Sequence, residues 1–239
     1  MKKIVVLLTI ALCICATNKA MGYDFLSVNS NGDTIYYKIK SSTPPLTAEV
    51  TYKALNESSY KGNIVIPDTV TPDSNSYIVI SIGDSAFRNC SALISITIPN
   101  TVTTIGKNTF EKCIGLTSVI IGNSVKTIWD KAFSECIGLT SIIIPASVTS
   151  IHNNAFSKDS NLVTVKFDAR NCTYMGDKGR AYRVFLDCPL LSKLIIGDDV
   201  QIIPELAFAE CNALDTVTIG KSVTAIRHAA FLNDTNLIT

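Results

Sequence analysis

Residues 81–125 run SIGDSAFRNCSALISITIPNTVTTIGKNTFEKCIGLTSVIIGNSV, and the second half restates the first at an interval of 23 residues. Working outward, the same phenylalanine recurs as Phe87, Phe110, Phe133, Phe156, Phe185, Phe208 and Phe231, with spacings of 23, 23, 23, 29, 23 and 23. Six residues after each stands a leucine: Leu93, Leu116, Leu139, Leu162, Leu191, Leu214 and Leu237. Nine residues after comes Ile96, Val119, Ile142, Val165, Leu194 or Val217, and eleven after comes Ile98, Ile121, Ile144, Phe167, Ile196 or Ile219. Val102, Val125, Val148, Val200 and Val223 form another column, and Ile82, Ile105, Ile128, Ile151, Ile203 and Ile226 stand five residues before their Phe. A unit this short cannot bury its Phe and its aliphatic strand alone, so neighbouring units must stack and turn each column into one core. The period-two alternation around the Ile/Val pair predicts a strand with one face inward. The segment around Val102–Ile105 predicts a second short extended piece, and the Phe region a compact turn or short helix. At about 4.7–4.9 Å per strand, seven units give a stack on the order of 30 Å.

The L-x-x-[IVL]-x-[IF] units of residues 81–125 resemble the BspA-type leucine-rich repeat family, over about residues 78–239 with the last unit cut short. The resemblance implies a right-handed leucine-rich-repeat solenoid of about seven repeats, mostly β with short helices or turns. The run Gly62-Asn63-Ile64-Val65-Ile66-Pro67 is similar to the cap of such proteins. It further implies a secreted or surface-exposed bacterial protein, often an adhesin for host matrix or for other cells.

Around the repeats, three segments are expected. Lys2 and Lys3 precede the 13-residue uncharged run Ile4–Ala16, and Ala20-Met21-Gly22 offers small residues at a cleavage site, so residues 1–22 read as a secretory signal. Residues 23–77 fit no repeat; Asn31-Gly32 signals a hairpin, Pro44-Pro45 breaks the chain, and a small β-rich cap is expected because the first coil would otherwise expose an apolar end. Residues 78–239 form the solenoid, with an insertion at about 168–184. The chain stops two residues after Leu237, which reads as a fragment of a longer protein in preference to a last unit that frays.

Composition bounds the function. Of the residues, 47% are hydrophobic and 17% charged, which excludes a disordered chain. The net charge of +1 argues against nucleic-acid binding. Loss of Lys2, Lys3 and Lys19 with the signal lowers Lys+Arg from 21 to 18 against 20 Asp+Glu, a net charge of about −2. No later apolar run is long enough to span a bilayer, so no membrane insertion is expected after signal removal. No metal or cofactor motif and no catalytic constellation is present, and only two histidines occur. His152 and His228 lie just beyond the Ile column, among positions holding Gly83, Gly106, Trp129, Pro204 and Arg227, and so read as surface residues. Glu111, Glu135, Asp187 and Glu210, interleaved with Lys112 and Lys158, predict a solvated rim.

Eight cysteines suggest disulfides or zinc until their positions are compared. Cys13 and Cys15 belong to the signal, and Cys90, Cys113, Cys136, Cys188 and Cys211 each stand three residues after a Phe, where the other two repeats hold Asp159 and Asp234. Parallel neighbours in one column do not converge as a disulfide or a tetrahedral metal site requires, so buried thiols are expected. Cys172 lies off this ladder, in the insertion, as a free loop thiol or a partner for Cys188.

Two surfaces are candidates for a protein partner. Outward positions on the main strands carry Ser95, Thr97, Ser118, Ile120, Ser141, Ile143, Thr164, Lys166, Lys193, Ile195, Thr216 and Thr218; exposed isoleucines on a rigid sheet suit protein binding, though Ile, Ser and Thr also simply favour strands. The insertion carries Arg170, Tyr174, Lys178, Arg180, Tyr182 and Arg183, residue types favoured at interfaces. Trp129, the single tryptophan, stands on the variable column beside His152. A protein that binds extracellular matrix or another cell surface is therefore expected, against two alternatives: a non-catalytic spacer that displays another domain, or a glycan-binding protein.

Overall fold

Each Phe marks a turn of the chain, and two left-handed residues hold that turn, or one at Phe185, where Arg183 is extended at φ −61°. The computed structural model describes residues 22–54 and 59–237; the expected signal, apart from Gly22, lies outside the described residues, as do the last two positions. Thirteen non-glycine residues have positive φ, and every one lies two residues before or two after a Phe of the column. Asn108 and Lys112, at φ 53° and 62°, bracket Phe110; Lys131 and Glu135, at 53° and 61°, bracket Phe133. A left-handed residue interrupts a helix, so the turn stays a turn. Among the described residues the one helical piece is a single 3₁₀ turn at Arg180–Tyr182.

The alternation aims backbone N–H groups along the stack. Phe87 donates to the Thr109 carbonyl at 2.8 Å, and Ser85 and Asn89 donate to Lys107 and Glu111 at 2.9 and 2.8 Å. The same three bonds join the coil of Phe110 to that of Phe133, through Asn108, Phe110 and Lys112. Coil docks on coil even where no strand exists.

Two parallel sheets continue this docking. On the main face run β4 (Gly62–Val65), β7 (Leu93–Thr97), β9 (Ser118–Ile120), β11 (Ser141–Ile144), β13 (Thr164–Phe167), β15 (Lys193–Ile196) and β17 (Thr216–Thr218). They form a three-stranded piece, β4-β7-β9, and a four-stranded piece, β11-β13-β15-β17. At the other side run β6 (Tyr77–Ile82), β8 (Thr104–Ile105), β10 (Thr127–Ile128), β12 (Ser150–Ile151) and β14 (Tyr174–Met175), then the separate pair β16 (Ile202–Ile203) and β18 (Ala225–Ile226). Equivalent residues pair one repeat apart, as in Ile142 with Val165 and Leu194 with Val217.

Between the sheets the columns close into one core. The Phe rings stack at centroid distances of 5.0, 5.0, 5.1, 5.4, 5.7 and 5.8 Å from Phe87 to Phe231. The column leucines from Leu93 to Leu214, and most of the Ile and Val positions, are buried with them.

The N-terminal strands do more than cover an end. β1 (Phe25–Val28), β2 (Thr34–Ser41) and β3 (Thr47–Thr51) form an antiparallel meander, and β3 then pairs parallel with β6, so the meander extends the second sheet. Residues 62–70, read in sequence as outside the repeats, run in register with the first coil: Ile64 pairs with Ile96, and Val65 with Thr97. Tyr60 stacks on Phe87 at 4.3 Å and opens the aromatic column. The repeat was hidden there because tyrosine replaces phenylalanine and because the segment that carries β5 (Thr69–Val70) folds back antiparallel on β6.

The six extra residues of the long interval also fall differently from a single insertion. Tyr174 pairs with Ser150 and Met175 with Ile151, so Met175 fills the Ile column. Thr173 donates to Thr149 at 3.0 Å, which sets the buried Cys172 level with Val148. One extra residue lies before Cys172, and the other five lie between Met175 and Phe185.

Phe133, fully buried between two stacked neighbours, has no room to be replaced by collapse. Phe133→Ala is expected to lower the unfolding free energy by about 3–5 kcal/mol, read as a shifted urea midpoint.

Candidate functional site

The main face is set by the pleat. Inward residues of each strand enter the core, and the alternate ones stand out. Ile120 and Ile143 are 59% and 56% exposed. The register aligns Ile143 with Lys166, Ile195 and Thr218 in one row, and Ser141 with Thr164, Lys193 and Thr216 in the next. Thr97 pairs with Ile120 and Ser95 with Ser118, so the rows continue on the neighbouring piece of sheet. Thr97, Thr164, Lys166 and Ile195 are half-buried by their neighbours; Ser118, Ser141 and Lys193 are exposed. Ser95 is also held, donating to Asn63 Oδ1 at 2.7 Å.

An open groove of about 720 Å³ runs across this face, with Ile120, Ile143, Lys166 and Ile195 on it and Asp168 and Asp198 at its side. It crosses the place where β9 and β11 are not paired. Asp168 and Gly197 donate at that step of the strand to the preceding coil, both at 2.9 Å, whereas Pro145 has no N–H to give. Charges at the edge are mutually neutralised: Lys166 with Asp168 at 2.8 Å, Arg170 with Asp199 at 3.0 Å.

On the second sheet the structure brings together Trp129, His152 and Tyr174. Trp129 and His152 stack at 4.0 Å, and His152 meets Tyr174 at 5.0 Å. Lys107 lies over the Trp129 ring, 5.6 Å from its centre. The histidine is thus half-buried in an aromatic stack, which corrects its reading as a surface residue. Gly83, Gly106 and Pro204 on the same column are buried too. Variety in that column reflects pairwise packing between coils, because each side chain needs only to suit its two neighbours. One ring face of Trp129 and one of His152 cover each other, so those two faces are closed to a sugar ring.

Polar side chains beside this stack cap the backbone of the next coil. Asp84 Oδ1 accepts from the Lys107 N–H at 2.7 Å, Asp130 Oδ1 from Asn153 at 3.1 Å, and Asn153 Oδ1 from Asp177 at 2.8 Å. The Tyr174 hydroxyl donates to Asp177 at 2.6 Å. Burial and this acceptor push Tyr174 up to about 12. Tyr174 therefore belongs to the sheet and not to the protruding loop.

The loop proper holds Lys178, Arg180 and Tyr182. Tyr182 is 47% exposed. Arg180 pairs with Glu210 at 2.5 Å and Lys178 with Glu205 at 3.3 Å, which ties the loop to the following coil. Arg183 is buried at the base of the loop. The expected solvated rim is only partly solvated: Glu111 is buried against Arg88 at 2.6 Å, and the Glu210 side chain is mostly covered by its bond to Arg180. Both acids face along the stack toward an arginine of another coil.

All six described cysteines are free and buried. In the ladder the thiol donates to the Phe carbonyl of the preceding coil: Cys113 to Phe87 at 2.9 Å, Cys136 to Phe110 at 3.2 Å and Cys188 to Phe156 at 3.0 Å. Cys172 is a core residue and not an accessible loop thiol; burial pushes it up to about 12. Among the described residues no group of three or more His, Cys, Asp or Glu side chains is placed to hold a metal.

Two outcomes are expected. A thiol reagent such as DTNB should label none of these six cysteines in the native protein and all six after denaturation, because buried, protonated thiols do not react. Trp129 fluorescence should be quenched as His152 protonates, with a midpoint below the ordinary histidine value, since burial disfavours the imidazolium. His152→Gln should abolish that titration.

Residues 80–179 and 180–239 match the BspA type leucine rich repeat region, in six copies. The leucine rich repeat protein of T. pallidum shares the fold, with 23% identity, a TM-score of 0.64, and coverage of 85% of this chain and 88% of that one. A leucine rich cell surface protein of Faecalibacterium prausnitzii is 32% identical, with a TM-score of 0.59, over 90% of this chain. The match covers 54% of that protein, so the chain spans about half its length. No curated protein matches the chain significantly.

Proposed function

The chain belongs to the BspA-type leucine-rich repeat family, and on that premise we propose that it is a secreted or cell-surface, non-catalytic protein-binding module of adhesin type. The observation that carries this reading is the apolar row on the main face where it spans the step between β9 and β11. Ile120 and Ile143 stand more than half exposed on neighbouring coils, with Ile195 continuing the row along one groove. Neighbouring large apolar side chains left in water at fixed spacing mark a surface that another protein covers. Repeat solenoids use such faces because each coil adds one row of side chains without disturbing the rest. Partner proteins of extracellular matrix or of another cell fit a chain whose solved relative is a cell surface protein. Among the described residues no helix is long and apolar enough to cross a membrane.

Binding of the purified chain to immobilised matrix proteins and to whole bacterial cells tests the reading. Ile143→Asp and Ile120→Ser should each weaken binding by roughly 30-fold, the scale of a central apolar anchor lost at about 2 kcal/mol. Arg180→Ala and Tyr182→Ala should change it little. Binding that survives both isoleucine substitutions and is lost with the loop substitutions would move the interface to the insertion. No binding to either kind of surface would remove the adhesin reading.

A further inference from the structure

Two coils break the thiol ladder with an aspartate, and one of these, Asp159, lies in the middle of the stack and is fully buried. Its Oδ1 accepts from the Cys136 N–H at 2.8 Å, and its Oδ2 has no partner. No cation pairs with it among the described residues. The titratable and charged groups around it are Glu135 and Cys136 of the preceding coil, its neighbour Lys158, and Asp187 and Cys188 of the following coil. Glu135, Asp187 and the two thiols offer nothing to hold a negative charge, and Lys158 is exposed.

The ladder shows what this position requires. Cys113, Cys136 and Cys188 each carry a hydrogen that goes to the Phe carbonyl of the coil before. In the coil of Asp159 the corresponding carbonyl is that of Phe133, which accepts from the Cys136 N–H at a long 3.3 Å. A carboxylate has no hydrogen to donate there, and a carboxylic acid has one. As the neutral acid, Asp159 accepts from Cys136 with one oxygen and carries on the other an O–H donor of the kind the ladder thiols supply.

We propose that the fold holds Asp159 as the protonated acid, a donor standing in for the ladder thiol, and that the repeat stack is therefore an acid-favouring structure that weakens as pH rises. The coil concerned carries Lys166 on the main face and leads into the loop of Arg180, so its loosening would act on both exposed surfaces. Burial raises the Asp159 carboxyl well above the usual carboxylate range, in agreement with the geometry. The folded state then binds one more proton than the unfolded chain between the ordinary carboxylate value and the raised one. Stability is at its fullest below the ordinary value and falls across that window as pH rises. Asp234 repeats the arrangement in the last described coil, accepting from the Cys211 N–H at 2.8 Å, with its carboxyl pushed up to about 7.

Urea unfolding of the full chain at pH 5 and pH 8 tests this, with wild type beside Asp159→Asn, Asp159→Cys and Asp234→Asn. The wild-type folded-to-unfolded ratio should drop on going to pH 8, and at least about tenfold of that drop should vanish in Asp159→Asn, the change one pKa unit of linkage supplies. Asp159→Cys restores the side chain of the ladder and should lose the same share of the drop, which covers the case in which the amide fails to fold. Asp234→Asn should leave the Asp159 share in place. Infrared difference spectra at pH 7, taken in an Asp234→Asn background, should show a protonated carboxylic acid band that a further Asp159→Asn substitution removes. Equal pH dependence of wild type and both Asp159 variants, or no such band, overturns the proposal.

Discussion

Everything in this solenoid depends on the hydrogen bonds that pass from one Phe turn to the next. They exist because residues two before and two after a Phe take left-handed backbone, and this costs energy. For residues other than glycine the conformation costs roughly 1–2 kcal/mol each, and the thirteen positions hold Ser, Asn, Lys, Glu, Asp, Leu and Ala without one glycine. The return is that Phe N–H groups reach the next coil at 2.7 to 2.9 Å instead of facing a core without water. A buried N–H left unpaired would cost as much or more. Strain at the turn and satisfaction of the stack are therefore one arrangement.

That arrangement dictates the side chains. Once coils are locked at one pitch, each core position meets its own kind above and below, which is why Phe stacks on Phe and thiol lies over thiol. Chemistry can change in a column if contact with both neighbours survives. Cys172 fills the Val level and Met175 the Ile level because each is apolar and flexible enough to fit. His152 enters the variable column because Trp129 on one side and Tyr174 on the other give it ring faces to lie between.

The same logic explains what could be read from residues alone. Columns that keep one residue type, Phe and Leu above all, disclose the period, the inward faces and the outward Ile row directly. Positions that keep a contact while changing residue type do not. Cys172 is shifted by one residue and altered in kind, so nothing marks it as the heir of Val148. Tyr60 lies outside the Phe spacing, and with it the first coil was lost. The left-handed positions escaped because glycine, the usual signal, is missing from them. Trp129 and His152 stood beside each other in sequence register, but their ring contact, and so their shelter from solvent, is a property of spacing across coils.

The two sheets fail at different places, and this protects the stack. The main sheet parts between β9 and β11, where the second sheet runs unbroken through β10 and β12. The second sheet stops at β14 and resumes at β16, where the main sheet runs unbroken through β13, β15 and β17. In a solenoid each coil is held only by its neighbours, so a coincident gap in both sheets would leave the Phe-turn bonds as the one backbone seam between two blocks and ease their opening. Staggering the gaps keeps one sheet seam beside the Phe-turn bonds at each gap. It also leaves the first gap free to widen the apolar groove at Ile120 and Ile143, and the second free to carry the Arg180–Tyr182 loop. Local departures from the repeat thus gather at the two candidate binding surfaces, where the stack can lose one seam without losing its continuity.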